Sequence, residues 1–132
     1  MYERVNVSSG TLATVAQLRR VIVERGFIEY AVVDHRLDMA EAGAPAFDAW
    51  TVIFGAPAAG SRLLAIDLAA AVDIPLRLAV IAAGPDRSDI VFRDMRSLLT
   101  GGPLTRIAEG MTDALRAIAI AVRDSVEGGH QT

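Results

Sequence analysis

The alternation of apolar and polar positions changes period along the chain, and each change marks an element. The opening YERVNVS, residues 2–8, alternates weakly at period two and predicts a first strand. Ser8, Ser9, Gly10 and Thr11 then offer N-cap candidates for a helix that runs to about Arg25. Within it Leu12, Val15, Leu18 and Ile22 recur at helical spacing, while Gln17, Arg20 and Glu24 share another face. Gly26 follows, suited to the left-handed conformation that commonly ends a helix. FIEYAVVDH, residues 27–35, is rich in β-formers and predicts a second strand. Residues 36–47 read as a loop or short helical turn, punctuated by Gly43 and Pro45.

DAWTVIFG, residues 48–55, predicts a third strand, and Pro57 opens a second helix that reaches about Val72. A fourth strand spans residues 74–83, with Pro75 tolerable at its start. Gly84, Pro85 and Asp86 form a turn so short that a fifth strand, residues 89–94, pairs with the fourth as a hairpin. Gly101, Gly102 and Pro103 break the chain before the clearest helix, residues 104–126, whose stripe is Leu104, Ile107, Met111, Leu115, Ile118 and Val122. The final EGGHQT reads as a frayed tail, so residues 1–127 are expected to form one domain and 128–132 a disordered end.

The order is β-α-β-β-α-β-β-α, which implies an α+β fold: a largely antiparallel five-stranded sheet with helices on one face. The second helix is apolar almost all round, from Ala58 through Leu63, Leu64, Ile66 and Leu68 to Val72. Such a helix needs a cover, and a twofold homodimer with this helix at or near the interface is the expected one. Deep packing within one subunit is the alternative.

Composition narrows the chemistry. In 132 residues there is no cysteine, which removes disulfides, thiolate chemistry and Cys-based zinc sites. All 13 basic residues are arginine, so a Schiff-base lysine and a P-loop lysine are excluded. The mean hydropathy of +0.37 is high, yet no apolar run approaches the ~18 residues of a membrane span. Neither a signal peptide nor a membrane association is expected, and the default compartment is the cytoplasm. A net charge of −3 and a pI of about 5.3, with no basic stripe, argue against a nucleic-acid partner.

IFGAPAAGSRLL, residues 53–64, has the layout of a strand, a Gly-rich turn and a helix. Gly55 and Gly60 have Walker-type spacing, but Ser61 and Arg62 follow where Lys and Ser/Thr are required. Neither a dinucleotide fingerprint nor a nucleophile elbow is formed. The turn is therefore read as a backbone device. Gly55 closes a strand, Pro57 opens a helix, and Gly60 and Ser61 let that helix pack closely. A small ligand near Gly55, Pro57, Gly60, Ser61 and Arg77 remains the site expectation.

Asp34-His35 offers an acid–base pair, although consecutive strand residues point to opposite faces. His35 is then expected to meet Asp73 or Asp67, or the pair to cap the following turn. Asp67, amid apolar neighbours, and Asp73 call for a partner such as Arg62 or Arg77. Trp50 and Phe54 share a strand face and read as core. With His130 the only other histidine, no metal site is expected, and no cofactor is implied.

Together these landmarks resemble a known family. Thr14 and Leu18 with Gly26-Phe27, then Asp34-His35, then Phe54-Gly55-x-Pro57-x-x-Gly60-Ser61, then Asp73-Ile74-Pro75-Leu76-Arg77 are similar to domain-of-unknown-function family 302, over about residues 3–122. The resemblance implies a TATA-binding-protein-like α+β fold and a dimer, without DNA binding. Ala56, Ser61, Leu64 and Arg77 stand where the family commonly has Asn, Thr, Met and Lys, and no histidine lies between Arg93 and Pro103 where members often carry one. The family has no settled activity.

Three functions compete at this point. The leading one is a homodimeric binding domain for a small ligand or protein, without chemistry of its own. An enzyme using His35 with Asp34 or Asp73 beside the 55–61 turn is the second. The third is a structural or accessory domain.

Overall fold

The protein, described over residues 2–130 in a computed structural model, is built on one five-stranded sheet of order β1-β5-β4-β3-β2, every pairing antiparallel. The strands are β1 (Tyr2–Val7), β2 (Ile28–Asp34), β3 (Ala49–Gly55), β4 (Leu76–Ala82) and β5 (Ser88–Arg93). The helices are α1 (Thr11–Glu24), α2 (His35–Glu41), α3 (Pro57–Ile66) and α4 (Pro103–His130). The α+β class, the strand count and the β4–β5 hairpin follow the sequence expectation.

The sheet has one core-facing side because its side chains alternate. Val52 lies opposite Leu78, and Val80 opposite Ile90, and all four are buried. From α1, Val15, Leu18 and Ile22 pack onto this side, and from α4, Leu115, Ile118 and Val122. Each such burial contributes roughly 1.5–3 kcal/mol relative to exposure. Phe27 meets Phe54 edge-on at 5.4 Å. Phe54 is core, as expected, and Trp50 packs partly buried against it.

Local polar geometry sets the element ends. Gly26 has φ of +84° and terminates α1 as its position predicts. The buried hydroxyls of Thr14 and Ser88 are satisfied, Ser88 Oγ donating to the Ser9 carbonyl at 2.7 Å. Arg116 of α4 grips both carboxylate oxygens of Glu3 at 2.8 and 3.0 Å on Oε1 and 2.7 Å on Oε2, pinning α4 to β1.

Three boundaries differ from expectation. His35, expected at the end of the second strand, instead starts α2, and the loop or short helical turn expected over residues 36–47 is helical as far as Glu41, because the Asp34 carboxylate accepts from Leu37 N at 3.2 Å and caps it. The second helix does not run unbroken to residue 72. It stops at Ile66, Asp67 becomes extended, and Leu68–Asp73 forms a 3-10 segment. The cause is Asp67 itself, whose side chain accepts from Ala69 N at 3.0 Å, a local bond that competes with the helical ladder. Finally, α4 continues through Gly128 and Gly129 to His130, residues the sequence assigned to a disordered tail; residues 131–132 of that tail lie outside the described ones.

Candidate functional site

A cavity of about 630 Å³ lies at one end of the sheet, within the range of roughly 300–1,000 Å³ usual for small-molecule sites. Several elements make it. The strand ends supply Gly55 and Leu76, the N-cap of α3 supplies Ala56, and the first turns of α3 supply Pro57, Ala59, Gly60 and Arg62. The chain leaving the 3-10 segment adds Ala71, Ile74 and Pro75. Opposite them stands α4 with Ile107, Gly110, Met111 and Ala114, spaced by three and four residues and therefore on one helix face. Phe27 and Tyr30 complete the wall.

Tyr30 reaches this place through a β-bulge. In the β2–β3 pairing Glu29 opposes Phe54 and Ala31 opposes Ile53, leaving Tyr30 as the extra residue. Its ring lies over Gly55, where an added Cβ would come within 3.2 Å of Tyr30 Cε2. An alanine at Gly55 would therefore require the Tyr30 ring to shift by a few tenths of an ångström. Gly60 is under no such demand. A Cβ there would meet Ile74 Cδ1 at 3.6 Å, an ordinary contact, so close helix packing does not require that glycine.

Of the five residues expected around a ligand, Gly55, Pro57 and Gly60 line the cavity, while Ser61 and Arg77 do not. Ser61 is exposed on α3, and Arg77 is exposed on β4, pointing to the sheet face opposite buried Leu76 and Leu78. Arg62, weighed only as an ion-pair partner, is the charged residue in the lining. The pairing of Asp67 or Asp73 with Arg62 or Arg77 is not found among the described residues; Asp67 caps the 3-10 segment instead.

Asp34, His35 and Asp73 do not line the cavity. Asp34 is engaged as the cap of α2, and His35 Nε2 lies 2.7 Å from Thr51 Oγ1. Thr51 precedes Gly55 by four positions on β3, about 13 Å at ~3.3 Å per residue. Asp34 and His35 therefore lie apart from the Gly-rich turn, whereas Asp73 directly precedes Ile74 of the cavity wall without lining the cavity itself. Among the described residues no three His, Cys, Asp or Glu side chains cluster as metal ligands would.

The resolved electrostatic perturbations also lie outside the cavity lining. Hydrogen bonds from the Arg96 side chain, then from its backbone N–H, hold the Asp94 carboxyl well below the usual carboxylate range, and Asp94 in turn raises Arg96. Hydrogen bonding to Glu3 raises Arg116. These are ion pairs that fasten the end of β5 and the face of α4, not a proton-transfer site.

Sequence reasoning did not single out Tyr30, Gly110 or Ala114, quoted Phe27 only as a family landmark, and took Ile107 and Met111 as part of an ordinary apolar stripe. One signal was available. Gly110 sits inside a long helix, where glycine costs about 1 kcal/mol relative to alanine, and an added Cβ there would meet nothing within 4 Å.

Comparison with known proteins agrees with this architecture. A crystal structure of an uncharacterized conserved DUF302 protein from Bacillus stearothermophilus superposes with a TM-score of 0.85 over 92% of this chain and 98% of that one, at 19% sequence identity, which establishes the shared fold. Comparison with curated proteins gave no match. No helix among the described residues is long and apolar enough to cross a membrane. The family model described as domain of unknown function DUF302 matches residues 3–122, nearly the whole chain, and the protein belongs to that family.

Proposed function

We propose that the protein is a binding domain that holds a small, largely apolar ligand in the cavity between the Gly55–Arg62 segment and α4. The observation that carries this reading is the cavity itself. It is formed by ordered elements and lined almost wholly by aliphatic and aromatic groups, with Arg62 and the Tyr30 hydroxyl as its polar side chains.

Titration with the neutral solvatochromic dye Nile red tests it. Saturable binding of one dye per chain is expected, with affinity lowered at least about tenfold by Ala114→Trp, whose indole would fill the space the dye needs. Gly110→Leu serves as a second blocking variant should the first fail to fold. Non-saturable binding, or equal binding by folded blocked variants, overturns the reading.

The oligomeric part of the proposal rests on a separate observation. Ile66, Leu68 and Val72 are 46%, 77% and 81% exposed, an apolar run that a second copy of the chain would cover in a cytoplasmic homodimer. Light scattering is expected to give twice the 14.0 kDa chain mass, and Val72→Asp to return it to the monomer value. A monomer mass for the unaltered protein at micromolar concentration removes this part and leaves the ligand site standing.

A further inference from the structure

We infer that the ligand of this cavity is a small amphipathic anion, of the class of a medium-chain carboxylate, with its acid group at Arg62 and its apolar chain along Ile107, Met111 and Ala114. The inference rests on the reading of the cavity as a ligand site and adds the charge and shape of the occupant.

Charge is the first argument. Arg62 is the only fully charged residue in the lining, and no carboxylate accompanies it there. Among the described residues no hydrogen bond or ion pair engages the Arg62 side chain, which is exposed at the cavity. Elsewhere the chain pairs its arginines readily, as with Arg19 on Glu29, Arg96 on Asp94 and Arg116 on Glu3. Arg20, Arg25, Arg77 and Arg106 also lack partners, but none of them lines the cavity. A planar guanidinium favours a carboxylate because it can present two parallel N–H donors to the two oxygens.

Shape and polarity supply the second argument. From Ile107 to Ala114 the α4 wall runs about 10 Å at ~1.5 Å per residue, without a polar side chain facing in. A nucleotide or sugar would bring many polar edges to a wall that offers them no partners, at a desolvation cost of several kcal/mol. A cation would be repelled by Arg62. A neutral apolar molecule would fit the wall but gain nothing from Arg62, which is exposed and solvated without a partner. A single acid group on an apolar chain satisfies both ends.

Displacement of Nile red by decanoate, 1-decanol and decylamine at about neutral pH and low salt separates these cases, since a carboxylate is fully ionised there. Decanoate is expected to bind about 5- to 10-fold more tightly than decanol, the size of one partly solvated charge pair, and decylamine more weakly than either. Arg62→Gln is expected to abolish the advantage of decanoate over decanol, and ~1 M salt to shrink it. Equal affinity of decanoate and decanol for the unaltered protein overturns the anion inference and leaves the cavity reading intact, as does an unchanged advantage in Arg62→Gln. If none of the three displaces the dye, both fail together.

Discussion

The two halves of α4 face the same sheet and do different things. In the C-terminal half Leu115, Ile118 and Val122 are buried against Leu18, Ile22 and the strand interiors. In the N-terminal half Leu104, Ile107 and Met111 are only partly buried, and Ile107 and Met111 border open space beside α3. One uninterrupted stripe on one helix thus packs a core at one end and walls a cavity at the other. The difference lies in what stands opposite. The C-terminal half meets α1 and the sheet interior, whereas the N-terminal half meets Gly55, Ala56 and the start of α3 with Pro57, Ala59 and Gly60, whose small side chains leave the space empty.

Truncating the same stripe at its two ends should separate the halves most sharply. Ile118→Ala is expected to lower unfolding stability by about 3 kcal/mol, because a void opens in a packed region. Met111→Ala, beside a cavity that already exists, is expected to lower it by only about 1 kcal/mol. Urea denaturation measures both, and equal losses would erase the distinction.

Next in size is Gly110→Ala, expected to raise stability by about 0.5–1 kcal/mol through helix propensity, since its Cβ meets nothing within 4 Å. A loss of stability would mean that the cavity end of α4 is more tightly packed than its geometry indicates.

The smallest effect concerns the Asp94–Arg96 pair, which caps the turn joining β5 to the segment that leads into α4. The native carboxyl is depressed below its unfolded value near 3.8. Its contribution is therefore fully present above that value and is lost as pH falls from there toward the native one. Asp94→Asn should cost the same small amount at pH 5 and pH 7 and progressively less below about pH 4. A cost that grows on acidification would contradict the assigned cause.

Much of the fold was legible because local physics and tertiary burial agreed. Val52 and Phe54 alternate with Thr51 and Ile53, and Gly26 follows α1 where a left-handed residue is needed. Where polar side chains had a local use, the reading slipped. Asp34 was legible as a turn cap or as half of an acid–base pair, and its bond to Leu37 N makes it a cap. Asp67 suggested a buried ion pair and instead broke the helix with its own carboxylate. Three glycine- and proline-bearing positions of the site were legible from the Gly-rich turn. The α4 wall was not, because Ile107 and Met111 carry the same periodic signature whether their neighbours fill the space or leave it open.

By itself, the sequence determined the α+β order, the antiparallel hairpin, the family and the absence of lysine and cysteine chemistry. These depend on periodicity, turn residues and residue types, all of which are local. Tertiary structure alone decided that a bulge at Tyr30 would lay a ring over Gly55, that Arg62 rather than Arg77 would reach the cavity, and that part of one apolar stripe would face an opening. An apolar pattern records that a surface turns away from water, and only the three-dimensional packing determines whether protein atoms or a ligand-sized space lie behind it.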